Sequence, residues 1–217
     1  MVLNKQKGNM YGFVTHTWNP IKGKCIHDCS YCYMKRFPQK DLWFDESELK
    51  TDLGKGNFIF VGSSTDMFAE NVPNQWIMKV LNACMEFPEN TYLFQTKNPD
   101  EFFNYEFPEK TILGTTMESN LCLVGCKAPS PRDRAEAMSH IENHDTMITI
   151  EPIIDFDLEY FVNLIKMAKP KWVNIGADSN KKLTLKEPSC LKVEALIKEL
   201  KTFTEVKNKD NLKRLLT

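Results

Sequence analysis

The chain predicts a parallel α/β fold, an open partial barrel of six β/α units, and three observations carry that reading. Short apolar, β-rich runs recur at 12–16, 58–61, 92–94, 111–113, 147–150 and 172–175. Segments of helical periodicity separate most of them, which argues for right-handed crossovers onto one parallel sheet. The length of 217 residues falls short of the ~250 typical of a complete eight-stranded barrel. A six-stranded (β/α)6 partial barrel suits that length. A doubly wound sheet stays open as the alternative, because one sequence does not fix strand order.

The helices are legible in order. Residues 74–87 follow Pro73 and place Trp76, Ile77, Val80, Leu81 and Cys84 on one face. Ser130-Pro131-Arg132-Asp133 combines a capping serine, a proline at the first helical position and an acid at the third; the helix it opens buries Ala135, Met138 and Ile141. Leu158, Phe161, Val162, Ile165 and Ala168 stripe the next helix, which stops before Pro170. A last long helix from Leu191 carries Val193, Leu196, Ile197 and Leu200. The tail, 203–217, reads as a short extended piece and then a turn or two of helix. No linker divides the chain, so a single domain is expected over 1–217, with its core about 12–202.

Composition narrows the class. The hydrophobic fraction is 42%, and no apolar run reaches membrane-spanning length. Residues 1–7 are polar and lack an apolar signal core, so a cytoplasmic location is expected. Seven cysteines, three of them clustered, fit metal-bound thiols in a reducing compartment better than a disulfide framework. A net charge of −1 gives no broad attraction to nucleic acid, though it leaves room for a local basic patch.

The chemistry concentrates in Cys25-Ile26-His27-Asp28-Cys29-Ser30-Tyr31-Cys32, a C-x-x-x-C-x-x-C triplet. Three thiolates in one short loop can hold three corners of an iron–sulfur cube and leave the fourth iron open. A zinc site with His27 as fourth ligand is the bland alternative, yet Cys84, Cys122, Cys126 and Cys190 supply no second C-x-x-C knuckle. Chance clustering of core thiols is the other. Cys122 and Cys126 form a second C-x-x-x-C, which leaves an auxiliary cluster open. His140 and His144, four residues apart, read as a surface pair.

The polar residues gather after the expected strand ends, where β/α barrels build active sites. They are Thr17-Trp18-Asn19-Pro20, Gly62-Ser63-Ser64-Thr65-Asp66, Gln95-Thr96-Lys97-Asn98, Gly114 through Asn120, Glu151-Pro152 and Gly176-Ala177-Asp178-Ser179-Asn180. One such set is usually a turn; six converging sets make a rim.

The cysteine triplet, with Tyr31 just before its third cysteine, resembles the signature of the radical S-adenosylmethionine (SAM) superfamily. The resemblance implies a [4Fe–4S] cluster on Cys25, Cys29 and Cys32. It also implies SAM chelated to the open iron, an electron donor such as flavodoxin or ferredoxin, and release of a 5′-deoxyadenosyl radical. It implies cofactor contacts from Tyr31, Gly62, Ser63, Ser64, Asp66, Thr115 and Glu118, with Gly62-Ser63-Ser64 standing where such proteins often carry Gly-Gly-Glu. Gln95, Lys97, Glu151 and Asp178 are then candidate substrate contacts. The runs 17–20, 60–68, 95–99 and 150–154 resemble a phage and bacterial radical SAM group of unassigned function, distantly similar to spore photoproduct lyase. That kinship implies a nucleobase or nucleic-acid substrate. The competing functional reading is a non-catalytic binding module stapled by zinc or iron–sulfur.

Overall fold

The computed structural model describes residues 2–6, 8, 10–121, 125–179 and 186–217. In chain order the elements are β1 (Asn4–Lys5), β2 (His16–Trp18), β3 (Ile21–Lys22), β4 (Trp43–Phe44), β5 (Phe58–Val61), α1 (Asn74–Met85), β6 (Thr91–Thr96), β7 (Thr111–Thr116), α2 (Pro131–Ser139), β8 (Asp145–Ile150), α3 (Leu158–Met167), β9 (Trp172–Ile175), α4 (Cys190–Leu200) and β10 (Glu205–Asn208). Short 3-10 turns fill several connections. Local chemistry sets the helix starts. Ser130 accepts the Asp133 N–H while the Asp133 carboxylate accepts the Ser130 N–H, the reciprocal cap expected for α2. Asp157 and Ser189 cap α3 and α4 in the simpler one-way manner.

Eight strands form one sheet in the order β1-β2-β5-β6-β7-β8-β9-β10. All pairs are parallel except β1 on β2, and β3 pairs with β4 in a separate small ribbon. The order follows the sequence without reversal, whereas a doubly wound sheet reverses at a switch point. Residues 203–217 do form an extended piece and a helical turn, and the extended piece enters the sheet as β10 beside β9.

Two expectations about strands need correction. The first strand is His16–Trp18 rather than 12–16. Upstream, Val14 N–H bonds back to the Tyr11 carbonyl, and both side chains are buried, so 11–14 turns under the sheet. The third and fourth strands run on to Thr96 and Thr116. Residues assigned to loops therefore obey strand alternation, with consequences for the site.

The helices pack on one face. Ile59, Val61, Tyr92, Phe94, Leu113, Ile148, Ile150, Val173 and Ile175 share a cluster with Ile77, Val80, Leu81, Ala135, Met138, Phe161, Ile165, Val193 and Leu196. The opposite face carries Phe60, Leu93, Ile112, Met147 and Trp172, covered by Tyr11 and Val14. Above that apolar layer, towards the C-terminal strand ends, the same face turns polar at Gln95, Thr116 and Thr149. The polar layer is the floor of the site.

Candidate functional site

Cys25, Cys29 and Cys32 all line a cavity of about 530 Å³ at the C-terminal ends of the parallel strands. That volume lies within the range of small-molecule pockets. The loop that carries the thiols is wound by two successive turns, Asp28 N–H to the Cys25 carbonyl and Cys32 N–H to the Cys29 carbonyl. Asp28 adopts φ +49°, a left-handed conformation that Asp tolerates better than most residues. Gly23 sets the entry to the loop. A Cβ there would stand 2.3 Å from the Asp41 carbonyl oxygen, so only glycine lets 23 and 41 approach.

Two polar networks hold the loop from below. In the first, the Tyr31 hydroxyl donates to Glu118 Oε1 at 2.6 Å, and Arg134 Nη1 from α2 reaches Glu118 Oε2 at 2.9 Å. Lys97 Nζ sits 3.6 Å from the same carboxylate and 5.3 Å from the centre of the Tyr31 ring. Burial pushes the Glu118 carboxyl up, but the Lys97 and Arg134 cations outweigh it and hold the group down at about 2. In the second, His27 Nε2 lies 3.0 Å from Asp66 Oδ2, and Asp66 also accepts the N–H groups of Lys97 and Phe68. These bonds outweigh burial and keep the Asp66 carboxyl below its usual range. A carboxylate only accepts, so His27 Nε2 is the donor. His27 Nδ1 is buried with no partner among the described residues.

Cys29 is buried, while Cys25, Cys32 and Cys126 are half-buried. Cys126 Sγ lies 3.3 Å from Cys29 Sγ, although 97 residues separate them. Burial, with Asp66 nearby, raises the Cys25 thiol to about 12; the Cys126 contact and burial raise Cys29. Of the second C-x-x-x-C, which leaves an auxiliary cluster open, Cys126 stands against Cys29, and Cys122, like Asn180, lies outside the described residues.

The remaining predicted residues divide. Gly62, Ser63, Ser64, Asp66 and Tyr31 line the cavity, as do Gln95, Lys97, Glu151 and Asp178. Gly62 has φ +75°, and its N–H bonds to the Trp18 carbonyl. Asn19 Oδ1 accepts both serine hydroxyls and the Ser64 N–H, which fixes that turn. Thr115 and Glu118 do not line the cavity. Thr115 sits on the helix-facing side of β7, fully buried, and donates to the Thr96 carbonyl; alternation gives the cavity position to Thr116. Glu118, expected on an exposed rim, is 1% exposed and acts behind Tyr31 and Lys97.

The structure adds members that the sequence reading passed over. The Tyr11 hydroxyl contacts Gln95 Oε1 and Thr149 Oγ1, each at 2.7 Å, and Gln95 Nε2 donates to Thr116 Oγ1 at 2.9 Å. Lys209, just past β10, reaches Glu151 Oε2 at 2.5 Å and lies over the Tyr11 ring. Asn211 Nδ2 donates to the other Glu151 oxygen at 2.8 Å. Lys209 follows a strand end as the predicted rim sets do, and would have been found had the tail been read as a strand. Arg134 carries no comparable signal, and the spacing that marks Cys126 points to Cys122 rather than to Cys29.

Three solved structures share the fold. A cysteine-to-alanine mutant of spore photoproduct lyase with dinucleoside spore photoproduct matches with a TM-score of 0.68 and 10% identity, over 95% of this chain and 80% of that one. A double mutant of that lyase with bound AdoMet and dinucleoside spore photoproduct gives 0.64, again at 10% identity, over 94% and 78%. A cysteine-to-serine mutant gives 0.65 and 10% identity over 95% and 80%. The fold is thus a mixed α/β architecture, with a mostly parallel eight-stranded sheet, like that of the lyase. No curated protein matches the sequence. A family model, Protein of unknown function (DUF5131), covers residues 10–192, and the chain belongs to that family.

Proposed function

We propose that the chain is a radical SAM enzyme built as a partial (β/α)6 barrel, with the Cys25, Cys29 and Cys32 thiolates holding a [4Fe–4S] cluster beside bound SAM. The observation that carries this reading is the convergence of three cysteines from one eight-residue loop on a cavity at the C-terminal strand ends. The donor set fits the group, since such clusters are held by cysteine thiolates and three of them leave one iron for a small molecule. Strands in sequence order, with helices on one face only, support the barrel reading.

When bound, the cluster supplies the electron for reductive cleavage of SAM. The chain's own residues do the rest. Cys25, Cys29 and Cys32 would hold the cluster as thiolates. Gly62, whose positive φ suits glycine, leads Ser63 and Ser64 onto the cavity wall, where a ligand can meet that turn. Tyr31, anchored on Glu118, keeps the loop from swinging out. Gln95, Thr116 and Thr149 present an amide and hydroxyls from the floor, a set suited to the edges of a nucleobase. The fold relatives hold AdoMet and a dinucleoside, which favours SAM and a nucleoside-containing substrate here. Flavodoxin or ferredoxin suits the role of electron donor.

The test is anaerobic reconstitution with iron and sulfide, then SAM and dithionite. The expected result is brown protein with about four irons per chain and 5′-deoxyadenosine in the product mixture. Colourless protein that takes up a single zinc instead, with no SAM cleavage, would overturn the reading.

A further inference from the structure

The lip of the cavity has a composition that its floor does not share. It is made by 33–40, which follow the last cysteine of the loop. Tyr33, Lys35 and Arg36 line the cavity. The Tyr33 hydroxyl donates to the Ser63 carbonyl at 2.9 Å, the Gln39 amide donates to the carbonyls of Met34 and Phe37, and Lys24 N–H bonds to the Lys40 carbonyl.

Two aromatic rings stand on this lip with open faces. Tyr33 is 48% exposed and Phe37 is 56% exposed, and neither has a ring partner among the described residues. Around them are Lys24, Lys35, Arg36 and Lys40, joined by Lys127, whose N–H bonds to the His27 carbonyl. Lys35 is paired with Asp28 at 2.7 Å. Among the described residues the other four cations have no carboxylate within ion-pairing distance. A chain of net charge −1 thus concentrates unpaired positive charge and unstacked rings at one mouth.

The geometry points to a single-stranded nucleic acid as the polymer that docks on this lip. Rings with free faces stack on bases of any sequence, and adjacent unpaired cations neutralise phosphates. A duplex keeps its bases stacked inside and offers those rings nothing. The proposal rests on the cavity being the reactive site only in one respect: a strand held there presents its bases to the floor.

The test uses the full chain purified anaerobically, with iron measured on the same sample. Fluorescence anisotropy follows a fluorescein-labelled single-stranded oligonucleotide of about a dozen nucleotides, in deoxy and ribo forms, across a salt series; unlabelled duplex competes. Wild type binds, and log K falls with log salt by about 0.7 per phosphate neutralised. The double variant Arg36→Ala/Lys40→Ala flattens that slope by about 1.4. Phe37→Ala weakens binding about 5- to 150-fold while leaving the slope unchanged. Its binding of heparin, a polyanion without bases, stays at the wild-type level. No binding at low salt, duplex competing as well as single strand, or Phe37→Ala equal to wild type would each overturn the proposal. The deoxy and ribo arms tell which sugar is preferred. Binding by iron-free protein that cannot load a cluster upholds the lip and sinks the radical SAM reading; iron without binding does the reverse.

Discussion

Replacing Glu118 with alanine tests how the floor supports the cysteine loop. Glu118 is 1% exposed and Arg134 is 3% exposed, and they touch at 2.9 Å. The alanine variant leaves the guanidinium buried without its counter-charge, and removes the acceptor of the Tyr31 hydroxyl. Breaking a buried pair by removing one partner costs about 3–5 kcal/mol. The pKa gives a similar figure: a fall from 4.5 to about 2 corresponds to about 3 kcal/mol at ~1.36 kcal/mol per unit. For a chain of this size that lowers Tm by about 6–20 °C. Thermal melts followed by circular dichroism, at neutral pH and without metal, measure it. The companion variant Glu118→Ala/Arg134→Met removes both charges and fills the space, so it recovers a large part of the loss. A single-variant drop below about 3 °C, or a double variant that melts as low as the single, would refute the claim that an uncompensated cation is the cause.

Other expectations follow from the same geometry. If the proposed cluster is present, Cys25→Ala, Cys29→Ala and Cys32→Ala should each lose stable iron and the thiolate-to-iron charge-transfer absorption, because each removes one of the three proposed ligands; full iron in any of them sinks the cluster assignment. Ile148→Ala, fully buried on the helix-facing side of β8, costs about 2–5 kcal/mol in a melt yet leaves iron content per chain unchanged. Glu118 and Asp66 have folded pKa values below their unfolded ones, so the stability they contribute is complete above about pH 4.5 and is lost as pH falls toward 2. Melts at stepped pH should therefore steepen below pH 4.5 in wild type and flatten in Glu118→Ala. In the iron-free chain, oxidised glutathione should join the 3.3 Å pair Cys29 and Cys126 into one disulfide and release two glutathiones. Peptide mass mapping reads the linkage, and a map without that peptide counts against the contact.

The parallel α/β class, the α2 cap and the cysteine loop are legible in the chain because each is written in neighbouring residues: apolar period, Ser130 with Asp133, three thiols within eight positions. The sequence also placed Gly62, Asp66, Gln95, Lys97, Glu151 and Asp178 at one end of the sheet, since parallel strands must send their C-terminal ends to the same side. Which face each residue takes is set by the folded backbone. Thr115 and Thr116 are adjacent in sequence, and a strand that runs three residues further than its apolar run sends them to opposite sides. Glu118 looked like a rim carboxylate because nothing local names its partners; Arg134 comes from α2 and Tyr31 from the cysteine loop, 87 residues away. Cys126 likewise meets Cys29 through the folding of two loops over one cavity. Contacts between side chains far apart in the chain depend on where the backbone of each element ends in space, and no pattern of near neighbours encodes that distance.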